Sequence, residues 1–470
     1  LIDQMANLNL SLLVELARDD SHAPVQYENL RRYLRSRRCT FSGEPMPTFL
    51  KPYFITPQQN DQLRHTVETI SNALNKFIKL YLENAEIREL MNFSPAENEL
   101  FAIEPHYSFS LVISRLDAFL NDYEVKFLEF NCDSPAGTAY SDVLEEGFKE
   151  ILQEYPLLDQ WNIDYINRQE HLFQSILECY RQFREAHPQF PEKPTVAIVD
   201  WEDLPTADEF QLLKEYFQLK GLKALVTSPQ KFKVEGGCLL AEGEPVHLIY
   251  RRVITRELVE QLDQVQDFVQ GVKERLACMC NPFRSFIVGN KKVLDLMTDP
   301  RFQGIYDARE REMIRETIPW TKILADTKVP YNGELVDLYR FTAENKDKLV
   351  LKAASSYGGK DVVLGRETDK TSWQRVIDQH IEARDWIVQE YVNIPQDIFP
   401  EINEGVGLKL KKVNINPFAF TGRYGGTITR VSDRSIINVS AGGGIVPTMS
   451  VKKKGAQLSP GDGLTDGLTG

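Results

Sequence analysis

Two short patterns carry the strongest chemical signal in this chain: Arg115-Leu116-Asp117, then Glu129-Phe130-Asn131, the second followed by Ser134-Pro135-Ala136-Gly137. From Ser108 to Asn131 the apolar period is two. Leu111-Val112-Ile113 and Val125–Phe130 flank a polar break at Asn121-Asp122, which predicts a hairpin. Alternate residues of a strand share a face. Arg115 therefore stands beside Asp117 and Glu129 beside Asn131, and closing the hairpin is expected to bring Asp117 opposite Glu129 and Asn131. Two carboxylates and an amide oxygen are hard ligands suited to Mg²⁺, with waters and phosphates completing each octahedron. A guanidinium on the same face can reach a transferring phosphate or an oxyanion. Solvated acids on a surface hairpin are the plainer alternative. They leave unexplained why Glu129 interrupts the apolar run of Phe127, Leu128 and Phe130.

A second constellation lies far downstream. Lys348–Gly365 reads KLVLKAASSYGGKDVVLG: a strand ending in Lys352, a small-residue loop with Ser356, Gly358, Gly359 and Lys360, and a second strand. Glycines let the backbone turn tightly and present N–H groups to phosphates, and nearby lysines add compact charge. No GxxxxGK[ST] motif occurs, so this is not a Walker A loop. An ordinary β-turn would account for the glycines alone. The next apolar strand, Asp385–Val392 (DWIVQEYV), ends in Gln389, Glu390, Tyr391 and Val392. Earlier, Gly289-Asn290-Lys291-Lys292 precedes an apolar helix start at Val293-Leu294, with a solvated basic cap as the simpler reading.

Arg-x-Asp, Glu-x-Asn and a Pro/Gly turn resemble the metal-binding segment of ATP-grasp enzymes. The resemblance implies ATP and Mg²⁺ as cofactors. Asp117, Glu129 and Asn131 would hold one or two Mg²⁺, and Arg115 would steady the γ-phosphate or the reaction intermediate. Lys352 would touch the α- or β-phosphate, and Ser356–Lys360 would fold over the triphosphate. Glu390, Tyr391 and Val392, with Gln389 before them, would form the strand that meets the nucleotide base and sugar. Lys291, preferred to Lys292, would be an earlier ATP-contacting lysine. The acids here precede the lysines, the reverse of the usual ATP-grasp order. That order resembles the circularly permuted group, which includes the synthetase part of glutathionylspermidine synthetase. The run from Asn416 to Gly444, rich in glycine and polar anchors, also fits that group. Arg252 and Arg430 are candidates for a substrate carboxylate or phosphoryl group, against surface salt bridges as the alternative. The implied reaction is a carboxylate–amine ligation through an acyl-phosphate. A phosphotransferase on the same fold and a non-catalytic nucleotide-binding protein are the rivals. The substrates expected are a small-molecule or peptide carboxylate and an amine; their identity and the oligomeric state stay open.

These side chains need elements to hold them. The expected fold class is α/β (α+β), a circularly permuted ATP-grasp fold with a pre-ATP-grasp Rossmann-like α/β domain. Residues 1–100 read as mainly helical: Thr56-Pro57 is an N-cap and first-turn pair, and Leu63, Val67, Ile70, Leu74, Phe77 and Tyr81 draw one apolar stripe. The metal-binding half is assigned to 101–190, with helix over 141–185. The α/β domain is assigned to 191–288, where Thr195–Val199, a helix opened by a Thr206/Glu209 capping box, and Lys223–Thr227 predict a parallel unit. Strands over Lys231–Leu240 and Pro245–Arg252 and a helix from Glu257 to Leu276 follow. The nucleotide-binding half spans 289–450, with a loosely held tail at 451–470.

The 470 residues carry 55 Lys and Arg against 68 Asp and Glu, a net charge of −13. That balance disfavours broad binding to nucleic acid or anionic membranes. No run of about 20 apolar residues predicts a membrane-spanning helix. Six scattered cysteines suit a reducing cytoplasm. The first residue is Leu rather than Met, which leaves room for missing or processed residues. No Gly-x-Ser-x-Gly elbow occurs, no histidine pair has metalloprotease spacing, and no Gly-x-Gly-x-x-Gly follows Thr195–Val199.

Overall fold

The computed structural model describes residues 2–18, 21–356, 359, 361–403, 405–439 and 442–455. The apolar stripe of residues 63–81 lies on one helix, Pro57–Glu83, and all six of its residues are fully buried. Its start is a reciprocal cap: the Thr56 hydroxyl accepts from Gln59 N at 3.2 Å, and the Gln59 side chain accepts from Thr56 N at 2.9 Å. The helix packs across the strands of the largest sheet.

That sheet has eight strands. Its main order is Tyr53–Ile55, Gly444–Lys453, Arg423–Ser432, Val406–Phe420, Ile113–Asn121 and Glu124–Asn131. Gln396–Ile402 pairs with Val406–Phe420, and Trp161–Ile163 with Gly444–Lys453. The hairpin predicted between residues 108 and 131 is its last two strands, turning at Asp122 with φ 54°. Tyr53–Ile55, inside the region read as mainly helical, is a strand parallel to Gly444–Lys453.

The α/β unit has the parallel order Cys278–Cys280, Leu248–Arg251, Thr195–Val199, Lys223–Thr227. Four expectations change here or nearby. Lys231–Leu240 is two strands, Phe232–Glu235 and Cys238–Ala241, because Gly236 and Gly237 both take positive φ and reverse the chain. The helical stretch 257–276 is broken into Thr255–Glu260, a 3₁₀ turn at Leu262–Gln264, and Gln266–Lys273. The stretch 141–185 is two helices, Thr138–Leu152 and Arg168–Ala186, parted at Pro156, which cannot continue a helix. Thr206 makes no side-chain cap for Ala207–Leu219; the Glu209 carboxylate is drawn instead to Gly137 and Ala139.

A second antiparallel sheet has the order Thr321–Ile323, Trp386–Glu390, Leu349–Ala353, Val362–Leu364. Leu349, Leu351 and Val388 of this sheet form a small core with Trp373 and Ile377. Among the described residues no helix is long and apolar enough to cross a membrane. All six cysteines are free thiols, and five are buried.

Candidate active site

The acid hairpin faces the second antiparallel sheet across a cleft lined from both. Strand register sets the acid side. Asp117 pairs with Glu129 and Arg115 with Asn131, and a bulge follows between Asp117 and Ala118. The Arg115 guanidinium grips Asp117 with two bonds, Nε to Oδ1 at 2.8 Å and Nη2 to Oδ2 at 3.1 Å. Its Nη1 donates to Ala136 O at 2.9 Å. Arg430, on Arg423–Ser432 one strand beyond Val406–Phe420, donates to Asp117 Oδ2 at 3.0 Å. Asn131 Nδ2 lies 3.4 Å from Glu129 Oε1.

The basic side reaches this group from two places. Lys352 donates to Gln389 Oε1 at 2.6 Å and to Leu128 O at 3.1 Å, a residue 224 positions earlier. Lys291, in the turn before Val293–Thr298, pairs with Glu129 Oε2 at 3.0 Å and donates to Ser356 O at 2.5 Å. Lys292 points the other way, to the carbonyls of Leu90 and Met91 that end Ala85–Met91. Adjacent lysines thus divide between cleft and helix end.

Burial alone would raise the Glu129 carboxyl, but Lys291 and Lys352 overcome it and hold the group at about 2. Burial pushes Lys352 down to about 8, with Glu129 opposing and Lys291 adding to the shift. Burial and the charge of Arg115 lower Arg430, against Asp117 and Glu129. Asp117 and Glu129 are opposed by Arg115, Arg430, Lys291 and Lys352, and Glu390 is a third carboxylate on the cleft, so cationic side chains outnumber carboxylates by one where an anionic ligand would sit.

Glu390, Tyr391 and Val392 line the cleft, as does Gly359. A Cβ at Gly359 would come within 2.6 Å of Ile436 Cγ2, and its φ is +73°. Gly358 and Lys360 lie outside the described residues. Two expected residues have protein partners. Gln389 lines the cleft, and its side chain accepts from Lys352 and donates to Thr321 Oγ1 at 2.9 Å. Arg252 is not brought to the cleft: it is buried against Phe210 and Tyr250, with its guanidinium on Pro135 O, the Tyr250 hydroxyl and, at 3.9 Å, Glu209.

Sequence reasoning did not single out the apolar slot of Leu128, Val350, Val362, Leu364 and Ile394, nor Asn414; Ser435–Asn438, which also line the cleft, fall within the polar, glycine-rich run from Asn416 to Gly444. Val350 was within reach, since it shares a strand face with Lys352. The 435–438 segment is irregular and carries no periodic signal.

The oxygen set fits a hard cation. No group of three or more His, Cys, Asp and Glu that could hold a metal occurs among the described residues. Mg²⁺, however, is commonly held by one or two carboxylates with substrate phosphates completing the shell. Both Asp117 oxygens and one Glu129 oxygen now face protein cations, which would have to turn toward phosphate as metal entered.

No family model matches the chain, and no curated protein does. Among solved structures, a glutathione synthetase-like effector from Globodera pallida in its apo form matches with a TM-score of 0.62 at 10% identity, over 92% of this chain and 97% of that one. A putative gamma-glutamylcysteine synthetase from Methylobacillus flagellatus KT matches at a TM-score of 0.37 and 11% identity, over 82% and 85% of the two chains. D-alanyl-alanine synthetase A from Vibrio cholerae O1 matches at 0.27 and 12%, over 48% and 68%. The last two are too distant in shape to bear on the fold. The architecture shared with the first over nearly the whole of both chains is of ATP-grasp type.

Proposed function

We propose that this chain is an ATP- and Mg²⁺-dependent ligase that joins a carboxylate to an amine. One observation carries the reading: acids of the hairpin and lysines from far downstream meet in one cleft, Lys291 on Glu129 and Lys352 on Leu128 O. Asp117, Glu129 and Asn131 would hold one or two Mg²⁺, which would supply charge neutralisation to the phosphates. Lys291 and Lys352 take up phosphate charge, and Arg115 and Arg430 face the transferring phosphoryl group. Glu390, Tyr391 and Val392 receive the base and sugar beside the apolar slot. A substrate carboxylate oxygen attacks the γ-phosphorus and the bond to ADP breaks. The amine then attacks the acyl carbon, phosphate leaves, and the amine proton passes to solvent. A carboxylate is a poor acyl donor, and phosphorylation supplies the leaving group.

Because the acids precede the lysines in the chain, we further propose a permuted ATP-grasp order related to the synthetase part of glutathionylspermidine synthetase. In that order 101–190 and 289–450 are the two halves of one domain and 191–288 lies between them. The likeness in shape to a glutathione synthetase-like protein supports a peptide or amino-acid carboxylate among the candidate acids. Six free thiols support a reducing compartment.

The test is ADP release with Mg²⁺ and panels of amino-acid and peptide carboxylates and amines. A ligase releases free phosphate only when acid and amine are both present. Transfer of phosphate to a hydroxyl product would favour a phosphotransferase, and tight nucleotide binding without turnover a non-catalytic protein. Asp117→Ala and Glu129→Ala should each lower Mg²⁺-dependent ADP formation by about 10²-fold or more while the protein stays folded. Full activity in both variants removes the metal assignment.

A further inference from the structure

Arg115 is held from both ends, and the far end leads out of the acid hairpin. Its Nη1 donates to Ala136 O, within the turn Ser134–Gly137 that follows Asn131. That turn opens the helix Thr138–Leu152, whose N-cap is Gly137 at φ 104°. Glycine has no side chain with which to cap a helix, yet the first N–H groups of a helix need acceptors. Glu209 supplies them from another element, the first turn of Ala207–Leu219 in the α/β unit. Its Oε1 accepts from Gly137 N at 2.9 Å and from Ala139 N at 3.1 Å, and its Oε2 from Gly137 N at 3.1 Å. The Tyr140 hydroxyl accepts from Glu209 N at 3.0 Å and closes the contact on its other side. Glu209 is 1% exposed, so water does not compete for these bonds. The same turn is tied to Arg252 twice: Ser134 Oγ donates to Arg252 O, and the Arg252 guanidinium donates to Pro135 O. Every residue of the turn is thus engaged, and Ala136 O is the atom through which it holds Arg115.

We propose that Glu209 is a positioning residue for Arg115, acting through the Ser134–Gly137 turn. It presents the guanidinium to the γ-phosphate position without touching the nucleotide. The proposal rests on the reading of Arg115 given above. It also gives the intervening α/β unit a part in the chemistry, although no strand of that unit lines the cleft.

Calorimetric titration of the full chain with ADP and with the non-hydrolysable ATP analogue AMP-PNP, both with Mg²⁺, separates positioning from general support. Only the γ-phosphate increment depends on Arg115. In Glu209→Ala the preference for AMP-PNP over ADP should fall about tenfold, with ADP affinity unchanged. Glu209→Gln should restore most of it, because a single oxygen accepts both from Gly137 N and from Ala139 N. Should Glu209→Ala fail to fold, Glu209→Asp, one methylene shorter, is read in the same way. An unchanged preference, or equal weakening of both nucleotides, overturns the role of Glu209 alone. A wild-type chain that binds both nucleotides but does not prefer AMP-PNP overturns the reading of Arg115, and the proposal with it.

Discussion

Lys352 combines two opposed demands: it must be charged to meet phosphate, and it is buried, which brings its ammonium down to about 8. An anionic ligand stabilises the protonated form and so raises this value in the complex. Below pH 8 the lysine is charged in both states and nucleotide affinity should be flat. Above pH 8 binding must take up a proton, and affinity should fall by up to about tenfold per pH unit. Glu129, held at about 2, stays ionised throughout and contributes no slope. Titrations from pH 7 to 9.5 in buffers of different ionisation enthalpy measure both affinity and proton uptake. Lys352→Met should weaken binding and abolish the slope; an unaltered slope would assign it to another group. Residue identities were legible where the strand period is two, as for Asp117, Glu129 and Lys352. The choice of Lys291 over Lys292 had no such support. Both lysines are buried, and the neighbours that tell them apart, Glu129 and Leu90, are distant in sequence.

Two similar cap signatures met different fates, and the contrast belongs to the elements. Thr56-x-x-Gln59 closes a reciprocal cap because the tertiary partner of Gln59, Asp122 O, takes its Nε2 and leaves Oε1 for Thr56 N. Thr206-x-x-Glu209 does not, because Glu209 is drawn to an uncapped glycine elsewhere. Local pattern predicts a cap only where tertiary contacts leave the acceptor free. Thr56→Ala should therefore destabilise the protein by about 1 kcal/mol in urea unfolding, and Thr206→Ala should be close to neutral. The nucleotide-side sheet has its own tight point at Gly365, where an added Cβ would lie 1.8 Å from Lys346 O. A backbone atom cannot swing aside. Gly365→Ala should cost about 1–3 kcal/mol or more, whereas Gly304→Ala, with nothing within 4 Å, should not. Denaturation midpoints decide both. Lys231–Leu240 reads as one strand from its apolar flanks, but Gly236-Gly237 turns the chain between two.

At the scale of the molecule, one joint fastens the α/β unit to the base of the acid hairpin. Arg251 is buried with Nη2 on Asp133 Oδ1 at 2.6 Å, and Thr255 donates to both Asp133 oxygens at 2.7 Å. Asn281, from the end of the neighbouring strand, accepts from Val112 N and Ile113 N at 2.9 Å and donates to Ile113 O at 2.8 Å. Asp133→Ala leaves a buried guanidinium short of its partner and should cost about 3–5 kcal/mol. Chemical unfolding monitored by several probes should register the loss throughout and not at the hairpin alone. No local pattern points to this joint, since Asp133, Arg251 and Asn281 are each unremarkable where they stand. The parallel α/β unit was legible in its strand–helix–strand pattern; which strands pair across the rest of the chain was not. The largest sheet interleaves them, with Ile113–Asn121 paired to Val406–Phe420 through Phe418↔Arg115 and Phe420↔Ile113.

That interleaving sets a timetable. A ribosome releases the acid hairpin long before it makes the strand that flanks it, an interval on the order of tens of seconds at ordinary rates of synthesis. Throughout that wait one side of Ile113–Asn121 is an unpaired edge, open to any passing strand. Nascent chains halted before Val406 should accordingly clump or stay bound to chaperones, and release should come only once the late strands have emerged.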